Sequence, residues 1–596
     1  MNTTLNKRQR NVLLNSRQGP GCQRQNCSEE TGGLHHVLFE TERVYDPKRR
    51  FNVPKRVIIG KLLSDGEDDL MLPNERFLKH FPDAQLSPSD PPSKRSGTLR
   101  AGTYLAFAAI IKEYGLDKLL EASFGDKAGF ILDLASYLIV SEDNAGQYYP
   151  DYARCHPLFT ADMRILSDST VSRFLAGIER DQITDFLDNW NAQQDHQQRI
   201  YISYDSTNKN SQAGDLDFVE FGHAKDDQGL QIVNVSLAFD KTNQVPLFYE
   251  VYPGSIPDVS QLRYLIEKII AYNYHAIGIV LDRGYFSRCN IEFMDQKGIE
   301  FLMMVKGCKP LVSSLIEEKR NTFETLRSCR MPGSNVYGTT IKQPLFVGDT
   351  KERYFHLFHN PGKMTAERAE FDGMLDQMTE ELQKLQGTEC EIGAPFTRYF
   401  NCHYLDKKFV FAEEKTDVIR REHELCGYFC IVSSTKMTAA EAYHLYRGRD
   451  VSEKIFRADK TFLGSRSQRV HSSSSMRAKI FIEFVALIVR NRFYNLLKEQ
   501  MLRLKTRRNT MTVPGAIREL EKIEMTRRFD SQYLLDFALT KNQKMIFQSF
   551  GLSAEAVTAG ARSIAAKLAQ TKDEKVLDED AEGSDGNAET EIDCID

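Results

Sequence analysis

Apolar and polar positions change period several times along the 596-residue chain, and each change marks a boundary. Residues 1–35 are rich in Asn, Arg, Gln and Gly without periodic apolar positions, which predicts a flexible arm. From His36 short apolar runs alternate with polar ones, Val37-Leu38-Phe39 and then Val57-Ile58-Ile59 before Gly60-Lys61. That alternation predicts a small β-rich domain over 36–95, ending in the Pro/Ser linker 87–96. Helical spacing follows over 96–195, with Leu105, Ala109, Ile110 and Leu116 on one face and a second helix opening at Ser169 behind Asp168 as its cap. From 196 to 309 strands and helices alternate: a strand from Ile200 running into Asp205, a hairpin of 231–239 with 245–251, a helix over 259–272, an apolar strand 276–281 ending in Asp282, a helix over 291–297 and a strand over 300–305. An apolar strand between helices predicts a central sheet covered on both faces. Residues 310–435 interrupt this α/β unit with strand-like runs and one amphipathic helix carrying Phe371, Leu375, Met378, Leu382 and Leu385. Helical patterning resumes over 436–500 and continues over a C-terminal region, 501–570.

Charge alters the reading of the ends. The net charge is −5, but residues 573–596 hold eleven acidic residues and one Lys, a net of −10, which leaves +5 for the rest. Such a segment has too little apolar surface to order itself, so 571–596 reads as a disordered acidic tail. Basic clusters at Lys7-Arg8-Arg10, Lys48-Arg49-Arg50, Lys55-Arg56 and Arg503-x-Lys505-x-Arg507-Arg508 make a polyanion partner plausible. A helix opening Ser169-Thr170-Val171-Ser172-Arg173 also suits groove contacts, so 96–195 is the expected DNA-binding region, although a plain packing helix explains the same pattern. The eleven cysteines show no framework of spacings, and Cys22-x4-Cys27 and Cys426-x3-Cys430 lack partners at zinc-finger spacing, so reduced, unligated thiols are expected. No apolar run reaches membrane-spanning length, since the best, 481–489, is short and contains Glu483. A cytoplasmic protein without a membrane partner is the expectation.

Two aspartates at the ends of buried strands, Asp205 and Asp282, form a place where hard divalent cations are held by carboxylate oxygens, although a lone strand-end Asp more often caps the next element. A sharper pattern is Tyr446-x2-Arg449-x3-Glu453-x6-Lys460. On one continuous helix these four side chains fall within an arc of roughly 60°. Leu445, Val451, Ile455 and Phe462 occupy the rest of the circumference, so the polar face is free to meet a ligand. A solvated stripe with Arg449 and Glu453 as an ordinary i,i+4 pair is the plainer reading.

Tyr-x2-Arg-x3-Glu-x6-Lys resembles the signature of bacterial DDE transposases of the insertion sequence four superfamily, matched here at all four positions. Tyr204-Asp205-Ser206-Thr207-Asn208 is similar to that family's first-aspartate strand and Val280-Leu281-Asp282-Arg283-Gly284-Tyr285-Phe286 to its second. Leu463-Gly464-x4-Arg469-Val470-His471 resembles the stretch after the glutamate helix, and Lys55-Arg56-Val57-x2-Gly60-Lys61 the N-terminal region of long members. The likeness spans roughly 36–550. Ser255, after Pro253-Gly254, departs from the Asn common in related chains.

The resemblance implies an α/β, RNase H-like catalytic core, split by a β-rich insertion domain and preceded by a small β-rich and a helical N-terminal region. Spacings of 77 residues from Asp205 to Asp282 and 171 from there to Glu453 leave room for that insertion. It also implies that Asp205, Asp282 and Glu453 are the catalytic, metal-binding acids for two Mg2+ or Mn2+ ions, with Asp205 bridging them, because three adjacent carboxylates repel one another unless cations neutralise them. Tyr446, Arg449, Lys460, Arg469 and His471 are the expected DNA contacts. The partners implied are double-stranded DNA, both element ends and target, and further copies of the chain in a dimer or higher oligomer. A nuclease lacking strand transfer and an inert DNA-binding derivative remain the alternatives.

Overall fold

The computed structural model describes residues 22–26, 35–48, 50–62, 71–73, 75–81, 95–211, 213, 216–222, 229–305, 309–346, 348–504, 511–527 and 532–571. Most of the N-terminal arm and the acidic tail lie outside these residues. The chain divides into two compact units, one of residues 107–149 with 167–514, the other of residues 1–106, 150–166 and 515–596.

The first unit is built on an eight-stranded mixed sheet. Its strands are β1 (Ile200–Asn210), β2 (Ile232–Asp240), β3 (Val245–Pro253), β4 (Ile277–Leu281), β5 (Glu300–Met304), β6 (Tyr337–Pro344), β7 (Glu352–His359) and β8 (Tyr428–Ser433). In space they run β6-β7-β8-β5-β4-β1-β2-β3. The half from β3 to β5 has the RNase H-like order 3-2-1-4-5, with β1, β4 and β5 parallel and β2 and β3 antiparallel. Every residue of β4 is buried, as a parallel strand covered on both faces requires. Gly278 in β4 is fixed by contact, since a Cβ there would stand 2.5 Å from the ring of Tyr201 on β1.

Helices cover this sheet. The 31-residue helix α3 (Ser473–Arg503) is buried over most of residues 475–490, where Phe481 stacks on Phe124 and meets Phe186 edge-on in the preceding helical layer. Trp190 is fully buried in that layer and donates to the Pro246 carbonyl at 2.9 Å.

The segment 310–435 differs from a self-contained β-rich insertion. Three of its strands, β6, β7 and β8, extend the core sheet antiparallel from β5, because an uncovered edge strand offers backbone groups that a returning strand satisfies. The long helix Pro361–Leu385, the hairpin Phe400–Leu405 with Lys408–Glu414 and the helix Thr416–Leu425 form a core of their own, around Leu375, Leu382 and Phe409. The helix after Ser167 is also capped differently from the expectation, by Ser167 accepting from the Thr170 N–H rather than by Asp168.

The second unit holds a four-stranded antiparallel sheet of Cys22–Asn26, His35–Asp46, Phe51–Leu62 and Met71–Pro73. A three-stranded sheet pairs Thr98–Arg100 with Glu524–Arg527 and Tyr533–Leu535, so the region 501–570 is not wholly helical. Among the described residues no helix is long and apolar enough to cross a membrane, and seven cysteines, Cys426 and Cys430 among them, are free thiols.

Candidate active site

Strand register brings the two aspartates together. Parallel β1 and β4 pair Tyr204 with Leu281, so the next residues, Asp205 and Asp282, come level on neighbouring strands. Asp205 is mid-strand rather than terminal, because β2 continues to pair β1 out to Asn210, whereas β4 stops at Leu281. That unequal ending opens the sheet beside Asp205. Asp282 heads the short turn Arg283–Tyr285 but makes no side-chain cap bond, so capping does not account for its carboxylate.

The motif Tyr446-Arg449-Glu453-Lys460 is not on one helix. It is split between α1 (Ala439–Arg447), opened by a Thr438–Glu441 capping box, and α2 (Asp450–Phe462). The break has a visible cause. In a continuous helix the Arg449 N–H would donate to the Leu445 carbonyl. Here Leu445 accepts instead from the Lys241 ammonium, which reaches in from the β2–β3 turn, and the Arg449 N–H bonds Tyr446 at 2.9 Å. Gly448 sits where a Cβ would meet that ammonium at 2.7 Å. The effect is to turn Arg449 inward.

Arg449 is consequently the centre of the cluster and only 13% exposed, not the solvent-facing group expected from a helical stripe. Its Nη1 donates to Asp205 Oδ2 at 3.5 Å, and its Nη2 lies 2.7 Å from Glu453 Oε1 and 3.8 Å from Asp282 Oδ1. The two carboxylates sharing Nη2 are therefore no more than about 6.5 Å apart. The Tyr446 hydroxyl donates to Asp282 Oδ1 at 3.4 Å, and the guanidinium lies over the Tyr446 ring at 5.7 Å. Burial, opposed by Arg449 and reinforced by Asp282, pushes the Tyr446 hydroxyl well above its ordinary range. Burial pulls the Arg449 pKa down, but Asp282, Tyr446, Asp205 and Glu453 more than offset it, and the group stays charged. Arg449 Nε is buried without a hydrogen-bond partner, which is what a side chain aimed by its other nitrogens leaves behind.

A second ionic group underlies this one and was not foreseen. Lys209, four residues beyond Asp205 on β1, bonds Asp459 of α2 at 2.7 Å and Glu483 of α3 at 2.6 Å, all three being 2% exposed. Ser465 and Gln468 donate to the remaining carboxylate oxygens. The strand of the first acid is thereby tied to the helix of the third. Its one legible sign was Glu483 inside an apolar run, since a buried charge needs a partner.

The other expected contacts separate from the cluster. Lys460 is half-buried in the last turn of α2, about 10 Å along the axis from Glu453. Arg469 pairs with Asp143 at 3.2 Å, and with His471 it lines a different cavity.

Residues 205–489 match the family model of the transposase DDE domain. That DDE match begins at the first aspartate and takes in Asp282, Tyr446, Arg449, Glu453, Lys460, Arg469, His471 and the Lys209 brace. No curated protein matches the chain. Among solved structures it is similar to a piggyBac transposase synaptic complex with hairpin DNA, at 9% identity, TM-score 0.34, covering 78% of this chain and 84% of that one. It is also similar to a Mos1 transposase paired-end complex with the left transposon end, at 11% identity, TM-score 0.12, covering 38% and 65%. Both likenesses are too distant to transfer residue roles.

Among the described residues no three His, Cys, Asp or Glu side chains converge tightly enough to hold an ion; a guanidinium stands between Asp205, Asp282 and Glu453. The donor set nevertheless fits a hard divalent cation, because all its donors are carboxylate oxygens and their charge is already drawn around one cationic group.

Proposed function

We propose that the protein is a DNA transposase of the insertion sequence four superfamily, cleaving DNA at the ends of a transposable element and joining those ends to target DNA. The observation that carries this reading is the meeting of Asp205, Asp282 and Glu453, from three separate elements, within 4 Å of one guanidinium where β4 ends beside β1 in the middle of an RNase H-like sheet.

Asp205, Asp282 and Glu453 would hold two Mg2+ or Mn2+ ions, which supply activation of the attacking oxygen and charge neutralisation at the scissile phosphate. The chain's own groups do the rest. Glu453, 49% exposed, and Asp282 face solvent, whereas Asp205 is held deep by β1, so the site is open on one side to a DNA strand. Arg449 keeps three like charges together before ligands arrive and presents a planar donor pair suited to a phosphate oxygen. Tyr446 fixes Asp282 through its hydroxyl, and Lys460 offers a further cation along α2. The Lys209 brace keeps β1 and α2 in register, and with them Asp205 and Glu453. Double-stranded DNA is the partner, bound by a dimer or higher oligomer with residues 96–195 contributing.

The test is incubation of the full chain with Mg2+ or Mn2+ and a duplex carrying the terminal sequences that flank its gene. Joined products support the reading. Cleavage without joining reduces it to a nuclease, and binding without cleavage reduces it to an inert DNA-binding derivative.

A further inference from the structure

A cavity of about 680 Å³ opens where the N-terminus of α3 meets the helices Ala128–Ser141 and Asp168–Ala176. Its lining mixes apolar side chains, Leu138, Val171 and Ile482, with polar ones, Ser475, Lys479 and Arg469. Three observations bear on what it holds.

The first is the end of α3. Ser472 caps it by accepting from the Ser475 N–H at 3.1 Å, and its first turn carries no acidic residue. The N-terminus of a 31-residue helix therefore presents its partial positive charge at the cavity with no acid in its own first turn.

The second is Lys479, one and a half turns in. It is 5% exposed and lines the cavity, yet its ammonium makes no hydrogen bond or ion pair with any described residue. Glu483, one turn further, acts on it through space but is already bonded to Lys209 and Gln468. Glu483 and Asp459 on one side, Lys209 and Lys479 on the other, balance in charge. Balance at a distance is not a hydrogen bond, however, and among the described residues none accepts from the Lys479 ammonium, which lines the cavity. Burial lowers the Lys479 pKa to about 8, against Glu483 and Asp143, which raise it, and together with Lys209 and Arg469, which lower it further. An acceptor arriving beside it would restore its charge.

The third is the rim, where Arg469 and His471 are exposed outside the acid cluster. The volume falls in the range of pockets that take a small organic ligand.

We propose that this cavity is a phosphate-ester site. The phosphate is taken by Lys479 and the α3 N-terminus, and the attached sugar and base lie against Leu138, Val171 and Ile482. It rests on the transposase reading only for the source of the ester, which is a nucleotide of an unpaired DNA strand rather than a free mononucleotide.

The test uses full-length protein carrying Glu453→Gln, so that cleavage plays no part, with titration calorimetry of thymidine 5'-monophosphate, thymidine, inorganic phosphate and a 5'-phosphorylated single strand of five thymidines. The monophosphate binds more tightly than thymidine or phosphate alone, and the five-nucleotide strand competes with it. Lys479→Met and Ser172→Trp each weaken monophosphate binding by roughly tenfold or more, as loss of a charge-assisted bond or blockage of the site requires. Ser172 is exposed at the cavity, so its Trp variant keeps the core and its melting temperature even where Lys479→Met does not fold. Thymidine binding as well as the monophosphate, or monophosphate binding unchanged in Ser172→Trp, overturns the site. A strand that fails to compete overturns the DNA source. Absence of end cleavage in the unmutated chain would count against the transposase reading and leave these results standing.

Discussion

Two clusters in this protein gather carboxylates around one cation on the same strand and helix, and they do opposite work. Around Arg449 the acids are 14%, 35% and 49% exposed and only Glu453 is held tightly, at 2.7 Å. Around Lys209 both acids are 2% exposed, both bonds are 2.6–2.7 Å, and further donors occupy the other oxygens. A buried pair so fully bonded resists exchange, because opening it leaves charges in a medium that cannot solvate them. At Asp282 and Glu453, where solvent reaches the carboxylates, contacts are more readily exchanged, since water and incoming ions replace the guanidinium at smaller cost. The position of a carboxylate relative to solvent separates the proposed ligands from the brace, although both kinds sit on β1, α2 and their neighbours.

The comparison breaks most visibly at the open cluster. On the proposed function, Glu453→Gln removes one of the three charges that would hold metal and is expected to lower the rate of end cleavage by about three powers of ten or more, from the loss of several kcal/mol of charge stabilisation. Duplex binding, followed by gel shift, stays near that of the parent chain, and a variant that loses binding together with cleavage would make Glu453 structural.

At the closed cluster the expected effect is on folding. Lys209→Met leaves Asp459 and Glu483 uncompensated and is expected to cost about 3–5 kcal/mol of stability in urea unfolding. A loss under about 1 kcal/mol would show that water reaches the brace and that the contrast is false.

His356 shows a third arrangement, an ionisable group buried neutral between the Thr340 and Ser433 hydroxyls, with Glu441 the acid acting on it. Burial lowers its pKa to about 4. As pH falls below the unfolded value near 6.5, the unfolded chain takes the proton first, so stability is lost between about pH 6.5 and 4, by up to about 3 kcal/mol. His356→Gln is expected to flatten that loss, and an unchanged pH dependence would place its origin in another group.

The smallest effect sharpens the comparison at Arg449 itself. If the guanidinium is the resident counter-charge of the acids, Arg449→Gln leaves them more receptive to cations. Added Mg2+ is then expected to raise the melting temperature of the variant by a few degrees more than that of the parent chain. Equal shifts would mean that Arg449 does not compete for the position.

The alternating strands, the apolar β4 and the residue types at 205, 282 and 453 were legible from sequence, because a buried parallel strand and a sheet opening impose local patterns. The membership of β6, β7 and β8 in the core sheet was not. Edge pairing is a backbone interaction that leaves no mark on side-chain order. The Tyr446-Arg449-Glu453-Lys460 spacing was likewise visible, but the helix it implied was broken by Lys241, some two hundred residues away, taking the Leu445 carbonyl. Lys209, Asp459 and Glu483 each read as ordinary charges until folding removed the water around them. Sequence alone determined which chemical groups were available and on which elements they stood. Tertiary structure decided which of those groups kept solvent and which lost it, because desolvation depends on what the rest of the chain packs against, and no local pattern records that.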